Sequence, residues 1–371
     1  MQTSGEDATA SSHGGDADQV QRWGAAQERA YLAELELTAT TRDTERLGAA
    51  TKAAELRSAS IHSSRWWRAT APVRVPVNRV RHRPSQPVAT PAKAISPTRS
   101  DSQVQAYCTQ RIDSLRDRLH QALAVLGDAD ATDGSLAGLL IAVAERVDAD
   151  ASPQLLWLLH VVFTSELPTN ADIDLLRARF EIGQGPMVVH GLLQRSAHQP
   201  DTWATTAPIE LVSVPVIETT NSATNTFHTG IERVARTTVP LWLANHTAEL
   251  AVFDKATRTL RPPSPTEAHR VLQWGRPAPA PTGRFVPDRI LVPWQTTVVL
   301  PELAGMAERA ARLAALASWS GNDLSAILFD LIPYTLPESA RGDLPRRFGN
   351  YIAAIRRGKR LSSISQSVAD D

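Results

Sequence analysis

The sequence has little of what disulfide-bonded or membrane-spanning proteins require. It contains a single cysteine, Cys108, so no disulfide can form within the chain, which favours a reducing compartment. No stretch approaches the roughly 20 apolar residues of a spanning helix. Residues 1–30 are acidic and polar, whereas a secretory signal would be basic and then apolar. We therefore expect a cytoplasmic protein.

The chain also lacks an excess of charge of either sign. Its 39 basic and 39 acidic residues balance, which gives no global attraction to nucleic acid, and we expect no nucleic-acid partner. The ten histidines do not combine with carboxylates or with the cysteine at the spacing of metal ligands. The sequence therefore predicts no metal site and no cofactor.

Residues 1–100 are predicted to be largely disordered and only partly helical. Val20 to Arg57 has loose helical spacing, which predicts a solvated or transient helix. Ser58 to Ser100 is rich in proline, and the segment from Arg57 to Arg99 has nine Lys and Arg but no acid, which is typical of a disordered basic linker. Trp66-Trp67, flanked by arginines, leaves one alternative open, which is peripheral contact with anionic lipid at the inner face of a membrane.

Residues 101–200 are predicted to form a helical unit. Ser152-Pro153 is a cap followed by proline at the first helical position, and it begins the most apolar helix of the group. Thr169-Asn170 and Gly185-Pro186 begin two further helices. His160 and His190 lie on apolar faces, and we interpret them as packed core histidines rather than ligands.

Residues 208–371 are predicted to form a Rossmann-like α/β domain. Short β-rich runs alternate there with amphipathic helices, which favours a parallel, doubly wound sheet. The predicted strands are Leu211–Ile217, Leu250–Phe253, Arg289–Val292, Ala326–Phe329 and Leu361–Ile364. The last two have the pattern of buried parallel strands ending in polar residues, and open α/β sheets bind ligands at that carboxyl edge.

Three polar positions follow these last two strands. Asp330 either acts on a substrate hydroxyl or caps the next turn through its own side chain, and Pro333 would stiffen the loop behind it. Ser365 and Ser367 either face the cleft or cap the next helix, the cap being the simpler interpretation.

Five short segments, in this order and spacing, resemble the N-terminal, acceptor-side half of family 4 glycosyltransferases of the GT-B type. They are TGIERV at 229–234, LVPW at 291–294, LPELA at 300–304, FDLIP at 329–333 and SISQSVAD at 363–370. The resemblance covers about Glu210 to Asp371 well and the helical unit only loosely.

The resemblance implies transfer of a sugar from a nucleotide-sugar donor to a glycan or lipid-linked acceptor. Thr229 and Gly230 would lie in the cleft, where Gly230 lets backbone N–H groups approach a phosphate and Arg233 adds a charged contact. The alternative is that Gly230 makes a tight turn and Arg233 is solvated. Asp330 would orient or deprotonate the acceptor hydroxyl, and His228 is a weaker polar group at the same edge. Many relatives carry a histidine where this chain has Phe329.

The donor-binding domain of the GT-B type is expected to be absent from this chain, so we expect no activity without a complementing donor-domain polypeptide. Two other hypotheses stay open. One is a non-catalytic acceptor-binding or scaffold module. The other is a different Rossmann-like nucleotide binder. The absence of a G-x-G-x-x-G turn after the first strand argues against this hypothesis.

Overall fold

The computed structural model describes residues 10–63, 101–128, 134–278, 283–339 and 342–370. The chain divides into two compact units, one formed by residues up to 31 together with 110–371, the other by residues 32–109. Most of the predicted disordered linker, including Trp66-Trp67, lies outside the described residues.

The first helix, α1 (Ala10–Ser63), contains the helix predicted over Val20–Arg57, but it is not solvated throughout. Its part up to Tyr31 is packed. A Cβ on Gly24 would lie 2.7 Å from Ile141 Cδ1, so the helix approaches this side chain closely because position 24 has no side chain. The buried Tyr31 hydroxyl also lies 2.9 Å from Ser196 Oγ.

Four helices follow: α2 (Asp101–Val125), α3 (Leu136–Ala149), α4 (Pro153–Thr164) and α5 (Asn170–Ala197). The cap predicted at Ser152 is confirmed, since its hydroxyl accepts a hydrogen bond from Leu155 N at 3.4 Å. Helix α5 is broken by non-helical backbone at Gly183 and Gln184, so its second half begins where the sequence predicts a separate helix, at Gly185-Pro186.

The remaining chain is an α/β fold whose eight-stranded, mostly parallel sheet is compatible with a Rossmann-like domain. The strands are β1 (Ile209–Val212), β2 (Val216–Glu218), β3 (Glu249–Asp254), β4 (Thr259–Arg261), β5 (Ile290–Pro293), β6 (Thr297–Leu300), β7 (Asp323–Leu328) and β8 (Arg360–Ser363). The helices are α6 (Thr220–Thr224), α7 (Gly230–Asn245), α8 (Pro265–Leu272), α9 (Ala307–Trp319), α10 (Ile332–Thr335), α11 (Leu344–Ile355) and α12 (Gln366–Asp370), with short 3-10 turns at Trp203–Thr205 and Pro337–Ser339.

The strand order β1-β5-β4-β3-β2-β6-β7-β8 places β2 between β3 and β6. The chain runs outward from β2 to β3 on one side and from β6 through β7 to β8 on the other, with all these strands parallel. Only β4 runs antiparallel to its neighbours in this sheet. Ligands of open α/β sheets bind where the strand order reverses, which here lies between the carboxyl ends of β2 and β6.

Buried aliphatic side chains hold the helices on this sheet. Ile217 of β2 and Val252 of β3 pack with Val239 of α7 and Val271 of α8, and all four are almost completely buried. Burial of such side chains stabilises the fold by roughly 1.5–3 kcal/mol each. The core therefore fixes α7, and with it the turn at residues 229–230.

Two strand predictions need correction, and two strands were missed. The predicted strand Leu211–Ile217 is two strands, interrupted at residues 213–215 where Pro215 offers no N–H to a ladder. Strands β4 and β6 were not predicted. The last strand, β8, lies at the edge of the sheet and is not buried, since all four of its residues are exposed.

Candidate functional site

A cavity of about 530 Å³ opens at the carboxyl edge of the sheet. Its walls come from the segments that follow β2, β6, β7 and β8 and from the first turns of α7 and α11. We call it the sheet-edge cavity, and it is defined by Asn221, Gly230, Leu303, Asp330, Arg347 and Ile364. It lies at the reversal in strand order, and on the carboxyl edge where the sequence predicts a site.

The structure brings together predicted site residues that are about a hundred positions apart. Thr229 and Gly230, at the start of α7, and Asp330 and Pro333, after β7, all line the sheet-edge cavity. They converge because β2 and β7 are parallel members of one sheet, so the loops after both strands meet at the same edge.

The other three predicted residues are not part of the cavity wall. His228 stacks on Trp274, with ring centroids 5.2 Å apart and an angle of 11° between planes. Arg233 is exposed on α7. Ser365 Oγ accepts a hydrogen bond from Val368 N at 3.3 Å, which is the helix cap that the sequence offered as the simpler interpretation.

Glycine at position 230 is required neither by backbone conformation nor by packing. The φ angle of Gly230 is not in the positive region that favours glycine. A Cβ added to Gly230 would meet no atom within 4 Å. The residue faces open space at a helix start, where the first backbone N–H groups have no acceptor within the helix.

A carboxylate already occupies part of this helix start. Glu232 Oε2 accepts from Thr229 N at 3.1 Å and from the Thr229 hydroxyl, while Oε1 accepts from Asn225 Nδ2 at 3.0 Å. Partial burial acts to raise the pKa of Glu232, but these hydrogen bonds outweigh it and hold that pKa below the ordinary value. The N–H and hydroxyl of Thr229 are therefore both committed to Glu232, which leaves Gly230 and Ile231 as the backbone donors at the cavity.

Asp330 combines a structural contact with a free oxygen. Its Oδ1 accepts from Ile332 N at 2.9 Å, which is the turn-capping role that the sequence offered as one of two alternatives. The side chain is exposed, and its second oxygen makes no hydrogen bond within the described residues. Phe329 beside it is buried, so the polar group of this loop is the carboxylate alone.

Below the cavity lies a fully buried ionic cluster of Glu218, Glu302 and Arg309. Arg309 Nη2 contacts both carboxylates, Glu302 at 2.9 Å and Glu218 more closely. The Glu302 carboxylate also accepts from the backbone N–H groups of Asn221 and Ser222, the latter at 2.7 Å. Burial raises the pKa of Glu302, and the positive charge of Arg309 opposes that rise.

This cluster fills the position that nucleotide-binding sheets commonly use for phosphate. In such folds the first turn after a central strand offers backbone N–H groups to a pyrophosphate. Here the first turn after β2 leads into α6, and its donors are satisfied by the protein's own Glu302. The arrangement speaks against the nucleotide-binder hypothesis for this turn.

Sequence reasoning missed two arginines that shape the site. Arg236 fixes the 219–228 loop by donating to three of its carbonyls, those of Ser222, Asn225 and Phe227 at 2.8–2.9 Å, and its guanidinium lies 3.5 Å from the centre of the Trp274 ring. Arg347, on the first turn of α11, lines both the sheet-edge cavity and a neighbouring cavity of about 330 Å³. The basic first turn of α11 was the available signal for Arg347. The sequence gives no signal for Arg236, because its partners are backbone carbonyls.

Comparisons of the chain with protein-family models, with curated proteins and with solved structures gave no match. Within the described ranges, no helix has the length and apolar character needed to cross a bilayer. The same residues include no group of three or more His, Cys, Asp or Glu side chains placed to hold a metal ion.

Proposed function

We propose that the α/β part of this chain is the acceptor-side domain of a glycosyltransferase resembling family 4 of the GT-B type. The observation that carries the proposal is the convergence of residues 229–230 and 330–333 on one cavity at the strand-order reversal. These residues belong to two of the five segments on which the resemblance rests.

The cavity offers groups suited to binding a hydroxylated acceptor. The free oxygen of Asp330 can accept a proton or hydrogen bond from a sugar hydroxyl, which is the general-base geometry that transfer to an alcohol needs. The apolar wall, including Leu303, Phe329 and Ile364, can cover the carbon face of a sugar or the first carbons of a lipid link. The acceptor class is therefore a glycan or a lipid-linked glycan.

The nucleotide-sugar donor would approach from the open side of Gly230. Backbone N–H groups at the start of α7 can meet negative charge on its diphosphate, because the missing Cβ leaves room. The rest of the leaving diphosphate needs further cations. Since the described residues form a single Rossmann-like sheet, we assign that role to a donor domain on this or another polypeptide.

A second candidate function is a non-catalytic acceptor-binding module. The hydrogen bond between Asp330 Oδ1 and Ile332 N favours it, because this contact accounts for the carboxylate without any chemistry. Replacing Asp330 by Asn or by Ala separates the two, since Asn keeps the turn contact and removes only the negative charge.

The test measures sugar transfer by the full chain mixed with a donor domain from a family 4 relative, using a panel of nucleotide sugars and glycan acceptors. We expect Asp330→Asn and Asp330→Ala both to lower turnover by about 10²-fold. Gly230→Val should weaken donor binding, whereas Gly349→Val, at another glycine with open space around its Cβ position, should not. Unchanged turnover in Asp330→Asn would refute the role of Asp330 as a general base. Glycan binding without any transfer would establish the binding module instead.

A further inference from the structure

A second polar cavity lies within the helical part of the chain. Its volume is about 350 Å³, and α4 and both halves of α5 line it. We call it the helical cavity, and its polar wall consists of His160, Asp172, Arg179, Arg195, His198 and Gln194. The proposed glycosyltransferase chemistry makes no use of it.

His160 contributes an unpaired hydrogen-bond acceptor to this cavity. The ring is 1% exposed, and its Nδ1 lies 3.2 Å from the carbonyl oxygen of Glu166. Thr164 Oγ1 also lies 3.3 Å from Nδ1, but its hydroxyl donates to the His160 carbonyl oxygen at 2.6 Å. A carbonyl can only accept, so we assign the proton to Nδ1 and the lone pair to Nε2. Burial lowers the pKa of His160 to about 3, with the charge of Arg195 adding to the effect, so the ring is neutral at physiological pH.

No described protein group donates to His160 Nε2. The nearest carboxylate oxygen is Asp172 Oδ2 at 3.9 Å, and it is itself an acceptor. That oxygen receives hydrogen bonds from Thr169 N and Oγ1, each at 2.8 Å, while Oδ1 pairs with Arg195 at 2.6 Å. Buried polar atoms normally have a partner, so a donor from a bound molecule would complete this one.

Arg179 contributes an unpaired cation to the same cavity. It is half-buried and makes no ion pair or hydrogen bond with the described residues. Its guanidinium lies directly against Gly191 on the second half of α5, where a Cβ would overlap with it. Position 191 therefore accommodates Arg179 only because it is a glycine.

We propose that the helical cavity binds a protonated phosphate group, either inorganic phosphate or a phosphate monoester. The anionic oxygens would pair with Arg179, and the P–OH group would donate to His160 Nε2. Sulfate has a similar shape and charge but carries no proton at neutral pH, so it cannot satisfy Nε2. The cavity has roughly ten times the ~30 Å³ that one water occupies, which leaves room for a phosphate group.

The experiment is calorimetric titration of the full chain at pH 7 and constant ionic strength with inorganic phosphate, sulfate and glucose 6-phosphate. We expect phosphate to bind at least about tenfold more tightly than sulfate, because sulfate leaves the buried acceptor unpaired. Tighter binding of glucose 6-phosphate than of phosphate would identify a monoester as the ligand, and weaker binding would identify the free ion.

Arg179→Gln should weaken phosphate binding by about tenfold or more, whereas Arg177→Gln, an exposed arginine on the same helix, should change it less than twofold. Gly191→Ala should weaken binding similarly, since it displaces the guanidinium without removing its charge. The proposal is overturned by equal affinities for phosphate and sulfate, by wild-type affinity in Arg179→Gln, or by no binding of phosphate or of the sugar phosphate at about 10 mM.

Discussion

Replacing Arg309 by Met should strongly destabilise the protein. The substitution keeps an unbranched apolar stem in α9 but removes the cation that contacts Glu218 and Glu302, and all three side chains are 0% exposed. Removing one partner of such a cluster leaves charge buried without compensation, which costs about 3–5 kcal/mol. A typical domain has about 5–15 kcal/mol of folding free energy in total, so the variant would be marginal.

The loss of folding free energy in Arg309→Met should become smaller as the pH falls. Burial raises the pKa of Glu302 already in the wild type, and without Arg309 the rise is larger. A carboxyl whose pKa is higher in the folded than in the unfolded state favours folding at low pH and loses that contribution as pH rises. The deficit of Arg309→Met relative to wild type should therefore be largest near neutral pH and shrink towards the ordinary pKa of Glu, about 4.3.

The assay is urea denaturation at several pH values between neutrality and mild acid, with Arg233→Met as the matched exposed control. The control should change stability by less than about 0.5 kcal/mol. Adding Glu302→Gln to Arg309→Met should recover about 1 kcal/mol or more, since one of the two unpaired charges is gone. A loss below about 1 kcal/mol at neutral pH, or a loss independent of pH, would refute the reasoning.

Two further outcomes follow from the helical part of the chain. Gly185→Ala should lower the free energy of unfolding by about 1–3 kcal/mol, because the added Cβ would overlap with the Ala144 carbonyl. Gly349→Ala, in open space within a helix, should be neutral or stabilising. Equal melting temperatures of the two variants would contradict this. The His160 ring should stay neutral in NMR titration until the pH falls towards about 3. Because folding lowers this pKa, the contribution of His160 to stability is complete above the usual pKa of about 6.5 and is lost as pH falls. A ring that titrates near the usual pKa would contradict the burial of His160 described above.

The position of the sheet-edge cavity could be predicted from the sequence because it depends on local pattern and on one property of parallel sheets. The apolar run before Asp330 identifies β7, and polar residues after parallel strands must share an edge. Thr229, Gly230, Asp330 and Pro333 therefore line one cavity. Short segments with strong patterns carried this information without any knowledge of side-chain contacts.

The ionic cluster and the helix contacts could not be predicted, because they depend on tertiary proximity. Glu302 follows a strand of only four residues that was not predicted, and its partner groups at Asn221 and Ser222 lie 81 and 80 residues away. Likewise Gly24 gives no sequence signal of its contact with Ile141, since an isolated glycine in a polar helix predicts only lower helical propensity. The exposure of β8 was missed because an edge and a central strand can share the same pattern.

Any self-association through the open edge at β8 should depend on ionic strength. An unpaired strand presents a row of backbone donors and acceptors to any similar strand, and nothing among the described elements covers this one. The basic run Arg356-Arg357 and Lys359-Arg360 leads directly into it. In-register parallel pairing of two copies would bring these charges together, and a repulsion of this kind is screened beyond about 10 Å at 0.1 M salt. Dilute buffer should therefore keep the protein dispersed, whereas added salt favours edge-to-edge association.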